Sequence, residues 1–175
     1  WTGGLINGAI FTTPLVLIGF HPAMIVFAFG INLIYQFWIH TEMIDKLPRW
    51  FEWLFNTPSH HRVHHATNPR YLDANYAGVF MLWDRMFGSF VPEDAAEKPR
   101  YGVIKNLGSF NPFVIAFNEW INLGKDLLSA RTVRDVIGYT LGPPGWSPDG
   151  SRLTSAKLKE RWKQVADGRP LALAE

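Results

Sequence analysis

Two apolar stretches open the chain, and little that follows resembles them. Residues 5–19 carry Ile10-Phe11 and Leu15-Val16-Leu17-Ile18, and beyond His21-Pro22 residues 23–39 are interrupted only by Asn32 and Gln36 among polar side chains. The second stretch sits at the short end of the roughly 17–25 residues that cross a bilayer as a helix, and the first is shorter still, so the pair predicts a tight membrane hairpin. The alternative is a buried helical hairpin of a soluble protein, which more often shows a polar face. The second helix is predicted to continue to about Ile44, placing Gln36 and His40 on one face at i, i+4 spacing near its end.

The remaining pattern is also helical but broken. Leu47-Pro48-Arg49 interrupts, and the aromatic run from Trp50 to Phe55 reads as an interfacial segment. Thr57-Pro58 is an N-cap followed by a first helical position, opening a short helix that Asn68-Pro69 ends. A loop rich in Pro, Asn and Asp leads to a short helix over residues 77–88, stopped by Gly88. Residues 91–100 are polar enough for a solvent loop. Residues 111–141 alternate apolar clusters with charges, as amphipathic helices on a protein or membrane surface do, and can cover a lipid entrance. Residues 142–150 are turn chemistry, and residues 154–166 form a charged helix. The expected fold is all-α: an integral membrane helical hairpin (residues 1–45), a helical cap carrying the histidines (46–93), and a carboxy-terminal amphipathic and charged region (94–175).

Charge adds an orientation. All 17 Lys and Arg residues lie at or after Lys46, and Glu42 is the single charge among the first 44 residues. Lys46, Arg49, Arg62 and Arg70 follow the second apolar stretch, so the positive-inside rule places that side, and the histidines with it, in the cytoplasm. The bases of residues 154–166 are mixed with acids, a solvated face rather than a nucleic-acid patch. Absence of cysteine excludes a disulfide framework, a thiolate zinc site and a cysteine nucleophile. No signal peptide is recognisable at Trp1-Thr2-Gly3-Gly4, and the chain is expected to be a carboxy-terminal portion of a longer protein.

Four of the six histidines fall within Ser59-His60-His61-Arg62-Val63-His64-His65. At about 100° per residue, His61, His64 and His65 occupy about 100° of arc, one helix face able to grip one or two ions. His60 borders that face and can equally donate a hydrogen bond to backbone or water. His40, at the end of the second apolar stretch, is either a further ligand or a headgroup-facing side chain in a belt with Tyr35 and Trp38. Asp84, a carboxylate among apolar neighbours, needs a partner: Arg85, or the free nitrogen of a ligating imidazole.

Several blocks together resemble the fatty acid hydroxylase and sterol desaturase superfamily of membrane di-iron enzymes. They are Phe37-Trp38-Ile39-His40-Thr41-Glu42, then Asn56 to His65, then Asn75-Tyr76-Ala77-Gly78, then Trp83 to Phe90, and within the superfamily they are most similar to the alkylglycerol monooxygenase branch and its bacterial members. The resemblance implies that His61, His64 and His65 match the last HxxHH box, that His40 matches the histidine of the preceding helix, and that Asp84 steadies a ligating imidazole. It further implies a di-iron centre, dioxygen, a lipid substrate such as an ether lipid, sterol or fatty acyl chain, and either tetrahydropterin or an electron-donor protein as reductant.

The family's earlier histidine boxes have no counterpart upstream of His40, so these four histidines do not furnish its full nitrogen set. The expected activity is O2-dependent hydroxylation or desaturation of a lipid C–H bond at the cytoplasmic face of a bacterial inner membrane or the endoplasmic reticulum, a reaction the chain by itself is not expected to perform. The alternative is a membrane protein that binds or transports metal without redox chemistry. A transporter places ionisable ligands within its spans, whereas these histidines lie beyond the apolar stretch, which favours the enzyme.

Overall fold

The computed structural model describes residues 2–104 and 107–167, with the backbone course alone for residues 2–7. Eight α-helices carry the described chain: α1 (Thr2–Leu17), α2 (Pro22–Ile39), α3 (Arg49–Leu54), α4 (Pro58–His64), α5 (Leu82–Phe87), α6 (Pro112–Ser129), α7 (Val133–Leu141) and α8 (Ser155–Ala166), with a 3₁₀ turn at Pro69–Tyr71. Among the described residues extended pairing is limited to isolated bridges, so the fold is all-α. The chain divides into two compact units, one of Trp1–Ala66 with Asp73–Gly102, the other of Thr67–Leu72 with Val103–Glu175.

In the first unit, α2 is the one described helix long and apolar enough to cross a membrane; α1 falls short. Only 6% of the α2 span is buried, with Phe27 and Ile34 at 70% and 75% exposure. A soluble core helix hides such residues, so the face α2 turns outward suits lipid. Its polar side chains turn inward. A Cβ added at Gly78 would stand 2.8 Å from Asn32 Oδ1 and 3.0 Å from Gln36 Nε2, and Tyr35 Oη donates to the Asn56 carbonyl at 2.7 Å. Asn32, Gln36 and His40, four residues apart, thus form a polar seam against the histidine-bearing segment.

Two boundaries differ from the sequence expectation. α2 stops at Ile39 instead of running to Ile44: His40, at φ −82° and ψ 65°, is its C-cap, and its imidazole takes the Gln36 carbonyl that a further turn would need. α5 begins at Leu82, not residue 77, because residues 79–81 pair with residues 54–56: Asn56 N–H donates to Val79 O at 2.7 Å and Met81 N–H to Leu54 O at 2.9 Å. Gly88 ends α5 at φ 72° as expected. α4 begins at Pro58 after Thr57, although Thr57 Oγ1 donates to Glu52 Oε1 (3.2 Å) instead of capping the helix.

In the second unit α6 packs on α7, and the 3₁₀ turn packs on α8. Thr132 and Asp135 form a reciprocal capping box that opens α7, and the Trp146 ring lies against Gly138, where any side chain would collide with it. Arg152 joins Asp126 of α6 through two 2.6 Å hydrogen bonds.

Candidate metal centre

α4 and the end of α2 bring three imidazoles to one point within the first unit. His61 Nε2 lies 2.7 Å from His40 Nε2 and 2.9 Å from His65 Nε2, and the third side of the triangle, His40 to His65, is 3.3 Å. His61 and His65 meet because they are four residues apart at the end of one helix. His40 meets them because the chain reverses between α2 and α4.

Hydrogen bonding alone does not account for this triangle. Each Nε2 either carries a proton or presents a lone pair, so at least two of the three are alike and one contact is repulsive in every neutral tautomer. A cation relieves all three contacts together. Imidazole ligands at roughly 2.1 Å from an ion and at right angles to one another stand about 3.0 Å apart, in line with the observed sides. His40 is already in the ligating tautomer. Its Nδ1 donates to the Gln36 carbonyl at 2.6 Å, which leaves Nε2 as a lone pair aimed into the triangle. These three histidines can hold a metal ion.

Burial favours the neutral, ligating form of His61 and His65. Burial pushes His61 down to about 3, helped by His40, His65 and His64, and it lowers His65 as well, with His64 and His40 adding to the effect. His61 is buried whereas His40 and His65 are exposed, so the triangle is open on one side. The opening is a cleft of about 470 Å³ whose wall includes Ile39, Glu42 and Tyr101. Burial and a hydrogen bond to the Glu42 carboxylate raise the Tyr101 phenol to about 12, so it keeps its proton.

The other histidines of the cluster take different places. His64 is exposed and lies outside the triangle, its ring stacked on that of His61 at 5.4 Å and 6.3 Å from Tyr76. His60 is buried edge-on to Phe90 at 5.2 Å, with an Nδ1 that has no partner among the described residues. Asp84 is 2% exposed and accepts hydrogen bonds from Tyr76 N–H and Ala77 N–H, both at 2.8 Å, and from Ser89 Oγ at 2.5 Å. Among the described residues its hydrogen-bond partners include neither an imidazole nor Arg85, which donates to the Trp53 and Glu52 carbonyls. Asp84 therefore fixes the turn that presents Tyr76 beside His64. Sequence reading missed Arg62 and Glu93, which tie α4 to the turn after His40; the arginine's place inside the histidine run was the available signal.

The fatty acid hydroxylase family model matches residues 1–89. Alkylglycerol monooxygenase of Xenopus tropicalis is 42% identical over 132 residues, covering 75% of this chain and 29% of that protein. The Danio rerio alkylglycerol monooxygenase is 40% identical over 144 residues (82% of this chain, 31% of the relative), and the Homo sapiens one 38% over 144 residues (82% and 32%). The chain thus spans under a third of the length of the curated relatives it matches. No solved structure matches it.

Proposed function

This chain belongs to the fatty acid hydroxylase family, and from that premise we propose that it carries part of the metal centre of a membrane oxygenase acting on a lipid C–H bond, with an ether lipid as the favoured substrate class. The observation that carries the reading is the convergence of three imidazole nitrogens at the end of the one described helix apolar enough to cross a bilayer. His40, His61 and His65 would hold one non-haem iron; His64, outside that triangle with its ring 5.4 Å from that of His61 and 5.1 Å from that of His65, would take part in holding a second. The remaining ligands of a two-iron site come from outside these four histidines. When bound, the iron supplies dioxygen activation, and tetrahydropterin or an electron-donor protein supplies the reducing electrons.

The chain's own residues orient and protect this chemistry. Gln36 fixes the His40 tautomer, and burial keeps His61 in its neutral, ligating form. Tyr101, hydrogen-bonded to Glu42, holds a proton in the wall of the cleft that the three histidines also line. The apolar surface of α2 leads a lipid tail toward that cleft from within the bilayer. Residues 1–45 form the transmembrane hairpin, residues 46–93 the histidine-bearing cap and residues 94–175 a cytoplasmic amphipathic and charged region, with the centre facing the cytoplasm by the charge asymmetry.

Iron per chain and dioxygen uptake with alkylglycerol vesicles test this together. Measured on the full-length protein that carries these residues, iron is expected to be retained, and His61→Ala to lose it along with lipid-dependent oxygen uptake. A protein that holds zinc alone and takes up no oxygen would instead be a metal-binding or transport protein.

A further inference from the structure

Arg62 stands between His61 and His64 in sequence, yet its donors go elsewhere. Nε donates to both Glu93 carboxylate oxygens at 3.1 Å and Nη2 to Oε2 at 2.6 Å, forming an ion pair whose side chains are 10% and 13% exposed. The rest of the guanidinium reaches three backbone carbonyls of one short segment: Nη1 donates to Thr41 O at 3.2 Å and Ile44 O at 2.7 Å, and Nη2 to Asp45 O at 2.9 Å. Those carbonyls belong to the turn directly after His40. Within the turn, Met43 N–H donates to Thr41 Oγ1 at 3.1 Å, and from outside it the Tyr101 hydroxyl bonds to the Glu42 carboxylate. Glu93 is in turn approached by Lys46, whose Nζ donates to its carbonyl at 3.2 Å.

We propose that Arg62 is a positioning residue for the metal centre: by clamping residues 41–45 to α4, it sets the His40 imidazole against His61 and His65, and Glu93 holds the guanidinium in place. The proposal rests on the reading of the three histidines as metal ligands. α4 presents two ligands from one short helix, so their separation is fixed by local geometry. The third ligand arrives on a different element, at a helix end where backbone carbonyls lack helical partners. A planar fork with five donors bridges a carboxylate and three carbonyls at once, whereas an ammonium group offers three donors from a single point. Arginine, and not positive charge as such, is what the geometry asks for.

The test uses Co2+ as the probe, with the detergent-solubilised chain titrated against a competing chelator while the visible d–d spectrum is recorded. Arg62→Lys and Glu93→Gln should each weaken Co2+ binding about tenfold or more, the loss typical when a ligand's supporting partner is removed. Both spectra should move toward that of His40→Ala. In the His40→Ala background, Arg62→Lys should cost nothing further, because the clamp acts through His40. Glu93→Gln keeps the buried shape and remains informative if the Arg62 variant fails to fold. Unchanged affinity and spectrum in the folded variants would overturn the clamp, as would an equal loss with and without His40. An unmutated chain that binds no Co2+ would overturn the metal reading itself, and the clamp with it.

Discussion

Neutral imidazole is both the ligating form and the form that burial selects at His61. Its pKa lies near 6.5 when exposed and about 3 in the fold, so the unfolded chain takes up a proton that the folded chain refuses across this window. The stability His61 contributes to the metal-free protein is therefore complete above about pH 6.5 and declines as pH falls toward 3. Thermal unfolding of metal-free protein should show a midpoint that drops through this window, and His61→Gln should flatten the drop; parallel profiles would contradict it. The pairing of His61 with His65 was legible from i, i+4 spacing. That of His40 with them was not, because no local rule relates residues 21 positions apart. Asp84 was legible as a carboxylate in need of partners, but its partners, two backbone amides and a serine, depend on how the loop before α5 folds.

Helix existence followed from apolar runs and caps, whereas helix ends were decided by tertiary competition for backbone groups. α2 ends early where His40 and Arg62 take carbonyls, and α5 starts late where residues 79–81 are drawn into pairing with residues 54–56. The end of α5 was readable because only glycine enters the left-handed region without penalty. Gly88, at φ 72°, caps the helix that carries Asp84. Gly88→Ala should destabilise the protein by about 1 kcal/mol and should loosen the turn at Tyr76. Hydrogen exchange at the Tyr76 and Ala77 amides, which Asp84 protects, would report this; unchanged exchange with lowered overall stability would show the two to be unconnected.

At the scale of the molecule, the apolar exterior of α2 is the dominant constraint. A helix this exposed and this apolar needs a non-aqueous surrounding, and its polar seam needs the protein side that Gly78 and Asn56 provide. With no cysteine in the sequence, a single introduced thiol reports topology cleanly. Ala95→Cys, on an exposed loop of the histidine-bearing unit, should react with a membrane-impermeant maleimide in inside-out vesicles and be shielded in right-side-out ones. Labelling from the outside would reverse the orientation drawn from the lysines and arginines.

The sequence by itself determined the all-helical class, the apolar stretch ending just before His40 and the family, because these depend on short-range periodicity, composition and the residues themselves. Tertiary structure alone decided that three Nε2 atoms meet within 3.3 Å, that His64 stands outside them, and that Asp84 serves a turn. The reason is physical. Side chains on one helix are related by its fixed pitch, but the meeting of His40 with α4 depends on a chain reversal held by Arg62 and Glu93, contacts whose distances no spacing encodes.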